Sequence, residues 1–373
     1  MKIGVLGAGQ LGRMLAQAGR ALGMQFRFLA PAGETCVEGL GELMQGDLRD
    51  TSLIDRFAAG LDAATFEWEN VPAAVLERVA RRVPVRPGPR SLQCGQDRVQ
   101  EKQFLRECGL SVQAFAPVDA PRDFEAALQA VSLPAMLKTR RMGYDGKGQA
   151  KIASRDELPA AFAALGSVPC ILEAFVPFER EVSLLAVRGV DASGAEDIRF
   201  WAPCGNEHRS GILDRTVAPA PGLPQATLER ARSGVTSVLR RLGHEGVLCV
   251  EFFLCRGELV ANEMAPRVHN SGHWTIEGAA TSQFENHVRA VARMPLGPTA
   301  SRGVAAMRNL IGEVPAPDAP LPASVALHLY GKSPRAGRKL GHLTSVAQQE
   351  SIAMSDADAA FAALAAQPAS ARG

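Results

Sequence analysis

Apolar residues fall in short runs separated by glycine, proline and polar clusters. Residues 3–6 form a strand-length apolar run, followed by the loop Gly7-Ala8-Gly9-Gln10-Leu11-Gly12. A helical spacing then runs through Met14, Leu15, Ala18 and Leu22, and residues 26–29 predict a second strand. Strand, glycine loop, helix and strand in that order open a parallel α/β sheet. Residues 63–67 predict the end of a third strand, and the proline-rich stretch 83–89 closes this first unit. Residues 97–108 predict a helix stopped by Gly109. Residues 135–138 predict a strand feeding a polar, glycine-rich loop over 139–148. Further strands are expected at 170–173 and 181–187, and a strand pair at 246–253 and 258–263 turning at Arg256-Gly257. Residues 315–322 read as a Pro/Ala-rich linker, 324–330 as a strand, and 367–373 as a frayed tail.

Composition narrows the class. A chain of 373 residues predicts two or three domains at roughly 100–200 residues each. Lys+Arg at 41 against Asp+Glu at 39 leaves a net charge of +2, which argues against a dedicated nucleic-acid binder. A hydrophobic share of 46% excludes a disordered chain. The seven cysteines stand singly, so they form neither a disulfide framework nor a zinc pattern and are expected as packed, reduced thiols. The apolar start is broken by Gly7, Gly9, Gln10 and Arg13, which leaves no signal-peptide core. No run approaches a membrane span, so a cytoplasmic protein with no membrane partner is expected.

Four clusters carry candidate chemistry. Gly7-x-Gly9-x-x-Gly12 fits the dinucleotide fingerprint, but Leu29-Ala30-Pro31 supplies no acid for ribose hydroxyls. A loop for some other phosphate or ribose is therefore expected there. Lys138, followed by Gly143-Tyr144-Asp145-Gly146-Lys147-Gly148-Gln149, offers backbone N–H groups and cationic charge to a polyphosphate. Glu251 and Glu263 sit in two apolar strands that a turn at 256–257 would bring together. Facing carboxylates repel unless a proton or metal intervenes, and Mg²⁺ favours one or two carboxylates plus phosphate oxygens, with Asn262 adding another oxygen. Arg267, His269 and Asn270 follow at once, and the loop over 330–339 gathers Lys332, Arg335, Arg338 and Lys339, which suits a phosphate monoester. The only two tyrosines, Tyr144 and Tyr330, lie in two of these loops, where each could stack or donate a hydrogen bond.

The order of these motifs resembles the ATP-grasp family, and within it the enzymes that carboxylate aminoimidazole ribonucleotide in purine biosynthesis. Gly-Tyr-Asp-Gly-Lys-Gly-Gln at 143–149 and Gly-Arg-Lys-Leu-Gly-His at 337–342 carry most of it, and the matching segments run in order over nearly the whole chain. The resemblance implies an α/β ATP-grasp fold: a Rossmann-like domain over 1–92, a lid subdomain with its linking helix over 93–178, a catalytic core over 179–298 and a small C-terminal domain over 299–366. It implies ATP and Mg²⁺ as cofactors, and bicarbonate and aminoimidazole ribonucleotide as substrates of a homodimer. ATP would meet Arg98, Lys138, the loop 143–149, Glu173, Ala174, Phe175, Val176, Glu181, His208, Asn262 and Glu263. Glu173 and Val176 would lie at the adenine edge and Glu181 at the ribose, while Glu251 and Glu263 would hold Mg²⁺. The ribonucleotide would meet Gln10, Leu11, Glu67 or Glu69, Asn270, Lys332, Arg338 and Lys339. Arg267, His269 and Lys332 would serve the carboxyl transfer. Met142, where the family usually has a glycine pair, and Gly205-Asn206, where an acid is common, depart from the pattern. The competing readings are a formate-using glycinamide ribonucleotide transformylase, a nicotinamide oxidoreductase and a catalytically silent nucleotide-binding module.

Overall fold

The computed structural model describes residues 1–33, 35–143, 148–313 and 321–365. Among the described residues, the N-terminal unit is a four-stranded parallel sheet, ordered β3-β2-β1-β4. Its strands are β1 (Lys2–Leu6), β2 (Gln25–Ala30), β3 (Glu42–Gln45) and β4 (Ala63–Phe66). The crossover helix α1 (Gln10–Ala21) buries Leu11, Met14 and Leu15. The strand expected third in the chain is thus the fourth. β3 escapes sequence reading because it is an exposed edge strand with no apolar run. Helices α2 (Thr51–Ala58) and α3 (Ala73–Ala80) pack together around Phe57 and Leu76.

The short α4 (Pro89–Gly95) leads into α5 (Arg98–Glu107). The Asp97 carboxylate caps α5 by accepting from the Val99 and Gln100 N–H groups, and Gly109 at φ +88° turns the chain away. The lid sheet follows, ordered β5-β8-β6-β7 from β5 (Phe115–Val118), β6 (Ala135–Thr139), β7 (Gln149–Ile152) and β8 (Cys170–Ala174). Helices α6 (Phe124–Ala130) and α7 (Glu157–Ala164) supply its apolar cover.

The remainder is built on one antiparallel sheet of nine strands among the described residues. Its path is β14-β13-β9-β11-β12-β15-β17-β16, with β10 beside β9. The strands are β9 (Arg180–Val190), β10 (Glu196–Phe200), β11 (Cys204–Arg209), β12 (Ile212–Ala218), β13 (Gly246–Cys255), β14 (Glu258–Ala265), β15 (Val304–Ile311), β16 (Val325–Leu329) and β17 (Lys339–Ala347). The C-terminal strands therefore extend the central sheet. β10 and β11 were not legible because they are half-exposed and rich in charge. Helix α8 (Gln225–Leu242) covers one face. The short α9 (Thr275–Gly278) and α10 (Gln283–Val291) lie on the other, and α11 (Glu350–Ala365) covers β15 and β17.

One apolar core joins α1, α10 and the large sheet. Within it, the His287 Nδ1 accepts the Val247 N–H at 3.1 Å, so its Nε2 carries the proton and donates to Thr65 Oγ1 at 2.8 Å. This histidine ties β4 to β13, and burial holds its pKa down at about 3. All seven cysteines are free and five are buried. No helix among the described residues is long and apolar enough to cross a membrane. The expected linker over 315–322 lies mostly outside the described residues, and the tail over 367–373 wholly so.

Candidate active site

The first glycine loop is not an open phosphate seat. Glu67, one residue beyond β4, accepts the Gly9 N–H at 2.6 Å and the Gly12 N–H at 3.1 Å. Its carboxylate lies so close that a Cβ on Gly7 or Gly9 would stand 2.6 or 2.8 Å from it. Those glycines therefore serve the approach of an internal carboxylate. Glu67 fills the anion position that the N-terminus of α1 would offer. A dinucleotide pyrophosphate would meet a negative charge there. Glu67 is thereby held against the loop. Glu69 pairs with Arg267 at 2.7 Å. The Leu11 side chain is packed in the core, so any ligand contact from it would run through its main chain. Gln10 Oε1 accepts from Lys332 Nζ, which joins the glycine loop to the basic loop.

The strand pair carries the second cluster. Arg256 at φ 51° and Gly257 at φ 77° make a two-residue turn of the primed kind, which matches strand twist. The resulting register sets Glu251 directly across from Glu263. Burial, then the nearby Glu263, pushes the Glu251 carboxyl upward. Burial works the same way on Glu263, but Arg98, with Nη1 at 2.8 Å, outweighs it and holds that carboxyl low. Protein rings Glu263, yet 39% of its side-chain surface remains open. His269 Nε2 stands 3.2 Å from Glu251. Burial, then Arg267, drives its pKa well down, so a neutral imidazole faces a carboxyl that resists ionisation. The Asn262 Oδ1 and both polar atoms of the Asn270 side chain are buried without hydrogen bonds. Two facing carboxylates beside such an oxygen fit a divalent cation that takes its remaining ligands from phosphate and water.

The cations assigned to phosphate rest on carboxylates. Lys138 Nζ is 2.7 Å from Glu173 Oε2, and Lys102 Nζ is 3.5 Å from Glu173 Oε1. Glu173 is 1% exposed. Burial opposes its ionisation, but Lys102 and then Lys138 overcome that and hold it at about 2. Its carboxylate is thus turned onto two lysines. Lys102 and Glu101, both buried, were missed by sequence reasoning. Their i+3 and i+4 spacing from Arg98 was the available signal, since it sets all three on one helical face.

Around them, Ala174 ends β8 and leads to Phe175, whose exposed ring has the Lys151 Nζ 5.1 Å from its centre. Val176 is half-buried, and Phe178 stacks on Phe253 at 4.6 Å. Glu181 Oε2 contacts His208 Nδ1. Burial lowers the pKa of that histidine, but the glutamate reverses the effect and raises it. Gly143, Gly148 and Gln149 frame the glycine-rich loop, whereas Tyr144, Asp145, Gly146 and Lys147 lie outside the described residues. Gly148 has φ +71°, and a Cβ there would meet Thr139 at 2.8 Å. Met142 holds φ 64°, a conformation that favours glycine, so the departure at the loop entry strains the backbone. Asn206 donates to Ser183 at 2.6 Å and accepts from Thr216 at 2.9 Å, so both ends of its amide are engaged within the sheet.

In the basic loop Lys332, Arg338 and Lys339 are half-buried. Tyr330 is buried, and its hydroxyl meets His342 Nδ1 at 2.7 Å. His342 stacks on His328, whose Nε2 is 2.6 Å from Glu277. Tyr330 anchors the loop from below through its hydrogen bond to His342.

Three known domain families cover most of the chain. Residues 1–96 match a ribonucleotide synthetase preATP-grasp domain, 103–284 an ATP-grasp domain, and 305–355 a phosphoribosylaminoimidazole carboxylase C-terminal domain. These matches define an ATP-grasp ligase. The chain is 51% identical over 346 residues to the N5-carboxyaminoimidazole ribonucleotide synthase of Pseudomonas aeruginosa, covering 92% of this chain and 94% of that one. A crystal structure of the corresponding synthetase from Thermus thermophilus superposes with a TM-score of 0.90 at 47% identity, covering 98% of each chain. The Aspergillus clavatus enzyme, in complex with ADP and 5-aminoimidazole ribonucleotide, gives 0.85 at 28% identity, again covering 98% of each. The chain belongs to the N5-carboxyaminoimidazole ribonucleotide synthase family.

Proposed function

We propose that this chain uses ATP to carboxylate the exocyclic amine of 5-aminoimidazole ribonucleotide. Bicarbonate attacks the γ-phosphorus of ATP, giving ADP and carboxyphosphate. The amine nitrogen then takes the carboxyl group, loses a proton and releases phosphate, giving 5-(carboxyamino)imidazole ribonucleotide. The observation that carries this reading is the register placing Glu251 opposite Glu263, with His269 beside Glu251 and Arg267 near His269. Phosphoryl transfer asks mainly for positioning and charge stabilisation.

Glu251 and Glu263 would hold Mg²⁺, with Asn262 as a further oxygen. When bound, the ion supplies charge neutralisation for the transferring phosphoryl group. Arg98, Lys138 and the loop 143–149 would hold the polyphosphate, the loop excluding water from the acyl phosphate. Ala174, Phe175, Val176, Glu181 and His208 would line the nucleoside side. Arg267 and His269 would receive bicarbonate, and Gln10, Leu11, Glu67 or Glu69, Asn270, Lys332, Arg338 and Lys339 the ribonucleotide. We assign the enzyme to the cytoplasm as a homodimer, with the four domains at the boundaries given above. The family membership and the filled glycine loop both weigh against the nicotinamide reading.

Transfer of label tests the reaction. With ¹³C-bicarbonate, ATP and aminoimidazole ribonucleotide, a carbamate carbon resonance should grow in step with ADP. ADP formed without that resonance would overturn the proposal.

A further inference from the structure

Helix α5 presents Arg98, Glu101 and Lys102 to three consecutive residues of β14. Lys102 Nζ donates to the Asn262 carbonyl at 2.5 Å, Arg98 to Glu263 at 2.8 Å, and the Met264 N–H to Glu101 at 2.5 Å. Arg98 and Glu263 have roles in the proposed reaction, but Lys102 has none. It is fully buried, so its ammonium has no path to a ligand.

What Lys102 faces is Glu173. Oε2 of that carboxylate takes Lys138 at 2.7 Å and the Gln113 amide at 3.1 Å. Oε1 accepts no hydrogen bond, and Lys102 stands 3.5 Å from it. Lys138 therefore has two claims on it: the buried Glu173 and the nucleotide phosphates. Moving Lys138 toward phosphate would strand a buried carboxylate, a strongly unfavourable event unless another cation remains. Lys102, held in place by the Asn262 carbonyl, is that cation.

We propose that Lys102 is a positioning residue, the standing counter-charge of Glu173 that frees Lys138 to bind the nucleotide phosphates. The inference rests on the assignment of Lys138 to those phosphates, and the first arm of its test examines that assignment alone.

The test is calorimetric titration of ATP and of adenosine, which lacks phosphates. Lys138→Met should weaken ATP on the order of 100-fold and leave adenosine nearly unchanged. Unchanged ATP affinity would overturn the phosphate assignment and the proposal with it. Given the expected loss there, Lys102→Met should weaken ATP by a similar factor, because Lys138 is then locked on Glu173, and again spare adenosine. Adding Glu173→Gln to Lys102→Met should restore ATP affinity by about tenfold or more, since the charge that held Lys138 is gone. Three results overturn the proposal alone: wild-type ATP affinity in Lys102→Met, equal loss for adenosine and ATP, or a double variant no better than the single. If Lys102→Met does not fold, Lys102→Gln, which keeps a donor for the Asn262 carbonyl, enters the same arms with and without Glu173→Gln.

Discussion

The N-terminal glycine loop and the β13–β14 carboxylate pair are opposite solutions to unpaired charge. At the loop, backbone N–H groups at a helix N-terminus attract an anion, and the chain supplies one itself through Glu67. At the hairpin, Glu251 and Glu263 face each other, and Arg98 compensates only one of them. The first place is electrostatically closed and the second is open. The loop carries its own counter-charge, whereas the hairpin is left with surplus charge and an unbonded buried oxygen, which is what favours a cationic ligand there.

The largest expected effect comes from breaking the open side. Glu263→Ala should lower kcat/KM for ADP formation by about 10²-fold or more, as for loss of one preorganised electrostatic contact. Added Mg²⁺ should recover little of it, whereas near-normal turnover at limiting Mg²⁺ would refute the metal assignment. Opening the closed side should have a middling effect. Glu67→Ala exposes the Gly9 and Gly12 N–H groups, so inorganic phosphate should become about a tenfold better inhibitor; unchanged inhibition would mean that the loop is no anion seat. Arg338→Ala sharpens the contrast by placing the ribonucleotide phosphate. It should raise the ribonucleotide KM by about tenfold while the ATP KM moves far less, and the reverse pattern would assign the basic loop to the nucleotide.

The smallest effect concerns the joint between the two regions. Burial holds His287 at about 3 and His244 at about 4, against the ordinary 6.5. Below pH 6.5 the unfolded chain takes up protons that the folded chain refuses. This stability is thus complete above about pH 6.5 and is lost progressively toward pH 3–4. Each of these two histidines should remove about 1 kcal/mol of stability between pH 7 and pH 5.5 in denaturant melts, so His287→Gln should reduce the pH-dependent loss by about that amount.

Much of this was legible in the sequence because the relevant signals are local. The α5 helix has its Asp97 cap and its Gly109 stop, and the Arg256-Gly257 turn fixes which strand residues face each other. The illegible parts depend on contacts between distant segments. Glu67 lies 58 residues from Gly9, and nothing in Gly-x-Gly-x-x-Gly says that its anion comes from within. Glu173 sits in an apolar strand, but its two lysines come from different elements. Tyr330 and His342 look like loop residues of a binding site until the sheet buries both. β3 and β10 carry no strong apolar pattern, because edge and half-exposed strands need none.

What the open carboxylate pair serves is the central question. The most direct measurement is coupled ADP release with aminoimidazole ribonucleotide, with and without bicarbonate, alongside formate with glycinamide ribonucleotide. ADP release should be rapid with aminoimidazole ribonucleotide and bicarbonate together, and slight with formate and glycinamide ribonucleotide. Faster release with the formate pair, or a rate indifferent to bicarbonate, would contradict the proposed reaction.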